Sequence, residues 1–166
     1  DLVLRVIHDI LNLPLQFVIL GTGDAEYETA LTNIREQYPD KMSVTIDFNS
    51  ALASRIYGAS DIILMPSQSE PCGLVQMVAC RYGTLPVVRE TGGLKDSIRD
   101  CGDGEGIGFT FKTYNAGDML NAIHRALGVY RSDEDRVAVR RRAMETDFSW
   151  GKSANEYIRM YRALTK

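Results

Sequence analysis

Two periodicities alternate along this chain. Leu2, Val3, Val6, Ile7, Ile10 and Leu11 recur at helical spacing, and the apolar run at 16–20 follows as a buried strand. The same alternation continues: a helix over about 25–38 with Asp24 as its N-cap, a strand at 42–46, a helix over 51–58 and a strand at 61–65. A helix at 73–82, a strand at 85–88, a short helix after Gly93 and a strand at 108–111 come next. Three helices, near 115–130, 133–146 and 150–164, close the chain. The strands are apolar throughout rather than alternating, which predicts an α/β fold: a Rossmann-like parallel sheet with helices on both faces. The pattern opens on a helix with no strand ahead of it and on Asp1 rather than Met, so we expect a piece of a longer polypeptide.

Composition narrows the class. With 166 residues the chain makes one domain that buries roughly 70% of its unfolded surface. Apolar and charged contents of 45% and 25% suit a soluble globular protein. A net charge of −3 argues against a nucleic-acid partner, and the triplet Arg140-Arg141-Arg142 fans around a helix instead of forming one patch. Three cysteines without a C-x-x-C pair predict free thiols and a cytoplasmic location. No apolar run reaches the ~20 residues of a membrane span, so no membrane partner is expected. The loop at 101–106, with glycines at 102, 104 and 106, reads as mobile.

Most candidate chemistry fails on spacing. Gly21-x-Gly23 follows a strand, but Glu26 replaces the third glycine of a dinucleotide fingerprint, and Asp24 and Glu26 bring negative charge to a phosphate position. His8 and His124 stand alone, so no metal site is expected. Cys72 and Cys80 default to small hydrophobes, and no nucleophile elbow occurs. The run at 66–77 is different. A glutamate, a Pro-Cys-Gly turn and a new helix start follow directly on the strand at 61–65, where open α/β sheets bind their ligands. Unpaired N–H groups at that helix start suit phosphate or sugar oxygens. One strand later Thr91-Gly92-Gly93 repeats the device, and two such turns facing one crevice fit a ligand rich in hydroxyls and phosphates.

Ser69-Glu70-Pro71-Cys72-Gly73-Leu74 with Gln76, then Arg81 to Arg89, Thr91-Gly92-Gly93-Leu94 and the closing Asp147-Phe148-Ser149-Trp150, closely resemble bacterial glycogen synthases and plant starch synthases. The resemblance covers essentially the whole chain. It implies one half of a two-domain GT-B glycosyltransferase that moves glucose from ADP-glucose to the non-reducing end of an α-1,4-glucan with retention. Residues 1–166 would be its C-terminal nucleotide-sugar-binding domain, with the N-terminal acceptor domain and the first strand of this domain absent. By the same resemblance, Glu70 is the essential glutamate beside the transferred glucose. The backbone at Cys72 and Gly73 meets sugar hydroxyls, and that at Leu74 and Val75 the diphosphate. Phe48 stands where the family usually places a tyrosine on the adenine, and Thr91, Gly92 and Gly93 lie near the phosphates. Val78 occupies the place of a second, ribose-binding glutamate found in many related transferases, which the glycogen synthase branch generally lacks. The family's diphosphate-neutralising Arg and Lys fall in a segment ahead of Asp1, and with those two cations no metal or other cofactor is implied. Another retaining sugar-nucleotide transferase of the same architecture using UDP-glucose, or a non-catalytic nucleotide-binding module, stays open as an alternative.

Overall fold

The computed structural model of the chain describes residues 1–165. Strand and helix alternate as the periodicity predicts, beginning with α1 (Leu2–Asn12), β1 (Phe17–Gly21), α2 (Ala25–Gln37), β2 (Met42–Ile46), α3 (Ser50–Ala59) and β3 (Ile62–Met65). α4 (Val75–Tyr82), β4 (Leu85–Arg89), α5 (Gly92–Ser97) and β5 (Phe109–Phe111) follow, and α6 (Ala116–Val129), α7 (Asp133–Glu145) and α8 (Trp150–Leu164) close the described chain.

Local chemistry sets the element ends. Asn49 accepts from Leu52 N at 2.9 Å and starts α3, and Asn115 accepts from Gly117 N at 2.8 Å and starts α6. Gly83 ends α4 in the left-handed region at φ 79°, which a residue with a Cβ adopts only under strain. Asp24 holds the N-cap position of α2 without a side-chain cap bond. Glu28, in the first turn of α2, instead reaches back ahead of the helix, its Oε1 accepting from Gly23 N at 2.9 Å.

Every strand pair is parallel, as expected, but the strands form two ladders, β1-β2 and β3-β4-β5. Phe17 pairs with Met42 in the first, and Ile62 with Leu85 and Val87 with Phe109 in the second. β1 and β3 therefore each carry one unpaired edge. α1 joins the two parts through its packing: Leu2 and Ile10 belong to the main core, with β3, β4, β5, α4 and α6, while Ile7 and Leu11 close a smaller core against Met42.

The loop after α5 is not the loose segment its glycines suggest. It holds a 3-10 turn at Cys101–Asp103, and the Asp100 carboxylate accepts from Gly102 N, Thr110 N and the Arg125 guanidinium at 2.6–2.9 Å. No described helix is long and apolar enough to cross a membrane.

Candidate active site

The segment between β3 and α4 leaves the carboxyl end of β3 and is held at three places by the next βα unit. Arg89, the last residue of β4, donates from Nε to Ser67 O at 2.8 Å and from an Nη to Gln68 O at 2.5 Å. Gly93 N donates to Glu70 O at 3.1 Å. Gln76 Nε2 lies 3.2 Å from Cys72 O, 2.9 Å from Gly73 O and 3.1 Å from Ser97 Oγ. Ser97 Oγ in turn donates to Gly93 O at 2.5 Å. The carbonyls of this turn are thus drawn inward one after another.

The glycines of the second turn are explained by this contact. A Cβ on Gly92 would stand 2.0 Å from Glu70 O, and one on Gly93 would stand 2.0 Å from Cys72 O. Gly92 also has φ +43. Sterically, Gly92 and Gly93 serve first to let the Glu70–Cys72 backbone lie directly on α5. Thr91 takes the N-cap position of α5 without a side-chain cap bond and is half-buried.

The structure therefore brings Glu70, Cys72, Gly73, Gly92 and Gly93 together. Glu70 is half-buried, and its carboxylate makes no hydrogen bond or ion pair with the described residues. Gly73 adopts φ +70. The helix does not begin there, as periodicity predicts, but at Val75, with Leu74 at the N-cap and 68% exposed. None of the backbone N–H groups from Cys72 to Met77 finds an acceptor among the described residues. A row of donors is left open beside Glu70, and helix-start donors favour negative charge.

Phe48 lies elsewhere, in the turn between β2 and α3, and is 91% exposed. A core role for this ring is excluded. Gly21-x-Gly23 is closed as a phosphate site in this structure, because Glu28 already occupies the Gly23 N–H. Arg142 donates to Gly106 O at 3.1 Å, whereas Arg140 and Arg141 line a groove of 580 Å³ with Arg81 and Met144. The three arginines do not form one patch, since Arg142 turns away, but Arg140 and Arg141 share this groove, which lies between α4 and α7 and not at the Glu70 turn.

Three interacting groups are not apparent from the motifs alone. Arg89 and Gln76 hold the first turn, and a polar network steadies the second. Thr110 Oγ1 donates to Glu90 at 2.7 Å, and Arg125 donates to Thr110 O at 2.6 Å and to Asp100 at 2.7 Å. Burial alone would raise the Asp100 pKa, but the hydrogen bonds from Arg125, Thr110 N and Gly102 N outweigh it and hold the carboxyl below its ordinary value. A glutamine on the inner face of a short helix is the one signal that could have singled out Gln76. It is fully buried, and its Oε1 has no partner among the described residues. Leaving a buried acceptor unmade costs about 1–3 kcal/mol.

The thiols divide by burial. Burial pushes Cys80 up to about 12 and Cys101 up to about 11, so both stay protonated. Cys72 is exposed. Ser149 N donates to Asp147 Oδ1 at 2.8 Å and starts α8, so Asp147-Phe148-Ser149-Trp150 is a helix entry that seats Phe148 against the main core.

Comparison with known proteins gives the family and the fold. The profile of the family described as "Glycosyl transferases group 1" matches residues 1–145. The chain is 48% identical to the glycogen synthase of Desulfitobacterium hafniense over 99% of its own length and 36% of that protein's. It is 46% identical to the glycogen synthase of Geobacillus thermodenitrificans, covering 100% of this chain and 35% of that one. Among solved structures, the catalytic domain of starch synthase IV from Arabidopsis thaliana, bound to ADP and acarbose, superposes at TM-score 0.85 with 36% identity. The match covers 99% of this chain and 36% of that one. Sucrose-phosphate synthase from Thermosynechococcus elongatus, at TM-score 0.66 and 22% identity, shares the fold. The chain thus spans little more than a third of the length of its glycogen synthase relatives.

Proposed function

Because the chain belongs to the group 1 glycosyl transferases, we propose that it is the nucleotide-sugar-binding half of a glycogen or starch synthase. In this reading the whole protein transfers glucose from ADP-glucose to the non-reducing end of an α-1,4-glucan, with retention. The observation that carries it is the open row of N–H groups from Cys72 to Met77, placed beside the unpartnered carboxylate of Glu70 and braced by Gly93. The glycogen synthase relatives and the ADP-bound starch synthase neighbour support the choice of donor.

Departure of ADP leaves positive character on the glucose ring and gathers negative charge on the diphosphate. Donors aimed beforehand at that charge are worth most in the transition state. The N–H groups of Leu74 and Val75 meet the diphosphate, and those at Cys72 and Gly73 the sugar oxygens. Glu70 stands beside the reacting sugar, and the Phe48 ring covers the adenine. Thr91, Gly92 and Gly93 flank the phosphates, and no metal is invoked. The acceptor glucan and the cations that complete the diphosphate site belong to parts of the protein outside this chain.

The domain boundary is read in the same way. α1 runs into β1 through four residues, and β1 and β3 each have an open edge while α1 packs across both ladders. A parallel strand ahead of α1 would make a right-handed βαβ unit with β1 and join the two ladders into one sheet.

The test is direct. The full-length protein should incorporate glucose from ADP-glucose into glycogen, at a higher rate than from UDP-glucose. The 166-residue chain alone should incorporate none and bind ADP-glucose weakly. Transfer by the isolated chain would refute the division of labour, and failure of the full-length protein with ADP-glucose would refute the donor.

A further inference from the structure

Gln76 occupies an unusual position for a polar side chain. It is fully buried on the inner face of α4, directly beneath the first turn, and its Oε1 is left without a partner among the described residues. Both amide hydrogens are committed to carbonyls of Cys72 and Gly73 and to Ser97 Oγ. The Oε1 lies 2.6 Å from where a Cβ of Gly73 would stand, so only glycine admits the amide at this distance. An apolar side chain of the same length would fill the site and leave no orphaned acceptor. The fold tolerates that orphan, and the donors must be doing something an apolar residue cannot.

What they do follows from peptide geometry. No cis peptide bond occurs among the described residues, and in a planar trans peptide the N–H points opposite to the carbonyl of the same unit. Drawing Cys72 O and Gly73 O inward therefore turns the N–H groups of Gly73 and Leu74 away from Gln76, to the side on which they meet no acceptor among the described residues. The second arm of the amide reaches Ser97, which holds Gly93 O, while Gly93 N holds Glu70 O. One buried side chain thus ties the direction of two donors to the placement of the glutamate.

We propose that Gln76 is a positioning residue that aims the Gly73 and Leu74 N–H groups at the donor's sugar and phosphate oxygens and locks that turn to α5 through Ser97. This rests on the donor-binding function proposed above. Gln76 touches no reactant and acts only through the backbone it holds.

The experiment uses the full-length protein and its Gln76→Met and Ser97→Ala variants, with ADP affinity, donor and acceptor KM, kcat and Tm measured for each. Gln76→Met keeps length and volume but frees both carbonyls, so ADP Kd and donor KM should rise and kcat fall. Together these should lower kcat/KM for ADP-glucose by roughly 30- to 300-fold. The acceptor KM should stay near wild type. Ser97→Ala cuts one arm and should lower the same quantity by about threefold to tenfold. A residue that only stabilised the fold would lower Tm and the folded fraction while leaving ADP affinity and the donor–acceptor split untouched. That result, or a folded Gln76→Met variant with wild-type ADP Kd and kcat, overturns the proposal. If Gln76→Met does not fold, Ser97→Ala decides: a selective donor defect supports the proposal and an unchanged enzyme overturns it. A wild-type protein that neither binds ADP nor uses ADP-glucose sinks the donor-binding reading itself, and the inference with it.

Discussion

The β1-β2 part and the β3-β4-β5 part of this molecule are written in the same residue language and come out very differently. Phe17-Val18-Ile19-Leu20 is as apolar as Leu85-Pro86-Val87-Val88, yet every residue of the second run is buried and none of the first is. Among the described residues the main core holds eighteen buried ones, the smaller core only Ile7, Leu11 and Met42, and α2 and α3 bury none. The cause is neighbours, not composition. β4 is paired on both sides and covered by α4, α5, α6 and α7, whereas β1 is paired on one side only. The groups proposed to bind the donor follow the same division. The Glu70 turn is braced on the packed side, and Phe48 stands nearly bare on the thin one.

The sharpest test of this division is the pair Glu70 and Phe48 in the full-length protein. Glu70→Gln keeps volume and removes charge, so kcat should fall by about two to four orders of magnitude while Tm and ADP affinity hold. Near-normal kcat would reduce Glu70 to a loop residue and move the chemistry away from the packed half.

The glycines give the next contrast. Gly93→Ala sets a methyl group on Cys72 O, and the turn must give way, so we expect about 2–4 kcal/mol of destabilisation together with loss of transfer. Gly23→Ala meets nothing within 4 Å and should change Tm by no more than a degree or two. Equal effects in thermal melts would mean that the close approach of the two turns carries no weight.

Core truncation separates the two parts by smaller margins. Val87→Ala removes two fully buried methyl groups from β4 and should cost about 1.5–3 kcal/mol. The same change at Val18, 49% exposed on β1, should cost well under about 1 kcal/mol. Denaturant midpoints of the two variants check this. A Val18→Ala cost equal to that of Val87→Ala would mean that burial does not separate the two parts.

The smallest effect on the folded state is expected at Phe48. Its ring touches little, so Phe48→Ala should leave Tm unchanged while donor KM rises by the equivalent of about 1–3 kcal/mol, the worth of a base–aromatic stack. Acceptor KM should not move. An unchanged donor KM would detach the thin half from nucleotide binding.

The sequence by itself determined the order of helices and strands, their parallel sense and the turn that holds Glu70. Those depend on local periodicity and on Pro and Gly, whose effects act within a few residues. It also carried the resemblance that leads to a donor class, because Glu70, Gly73 and the Thr91–Gly93 turn are adjacent in sequence to the strands that place them. Tertiary structure alone decided that the strands form two ladders, since pairing depends on which segments are present to meet. It decided that α4 begins at Val75 and not at Gly73, because the Gly73 backbone is held at φ +70 by a buried amide below it. It also gave Gly92 and Gly93 their first duty, which is to admit the Glu70 and Cys72 carbonyls at distances no side chain allows. Gln76, Ser97 and Arg89 became readable only there. Their hydrogen bonds to the turn span between three and twenty-two residues of sequence, and no local pattern records a partner on another element.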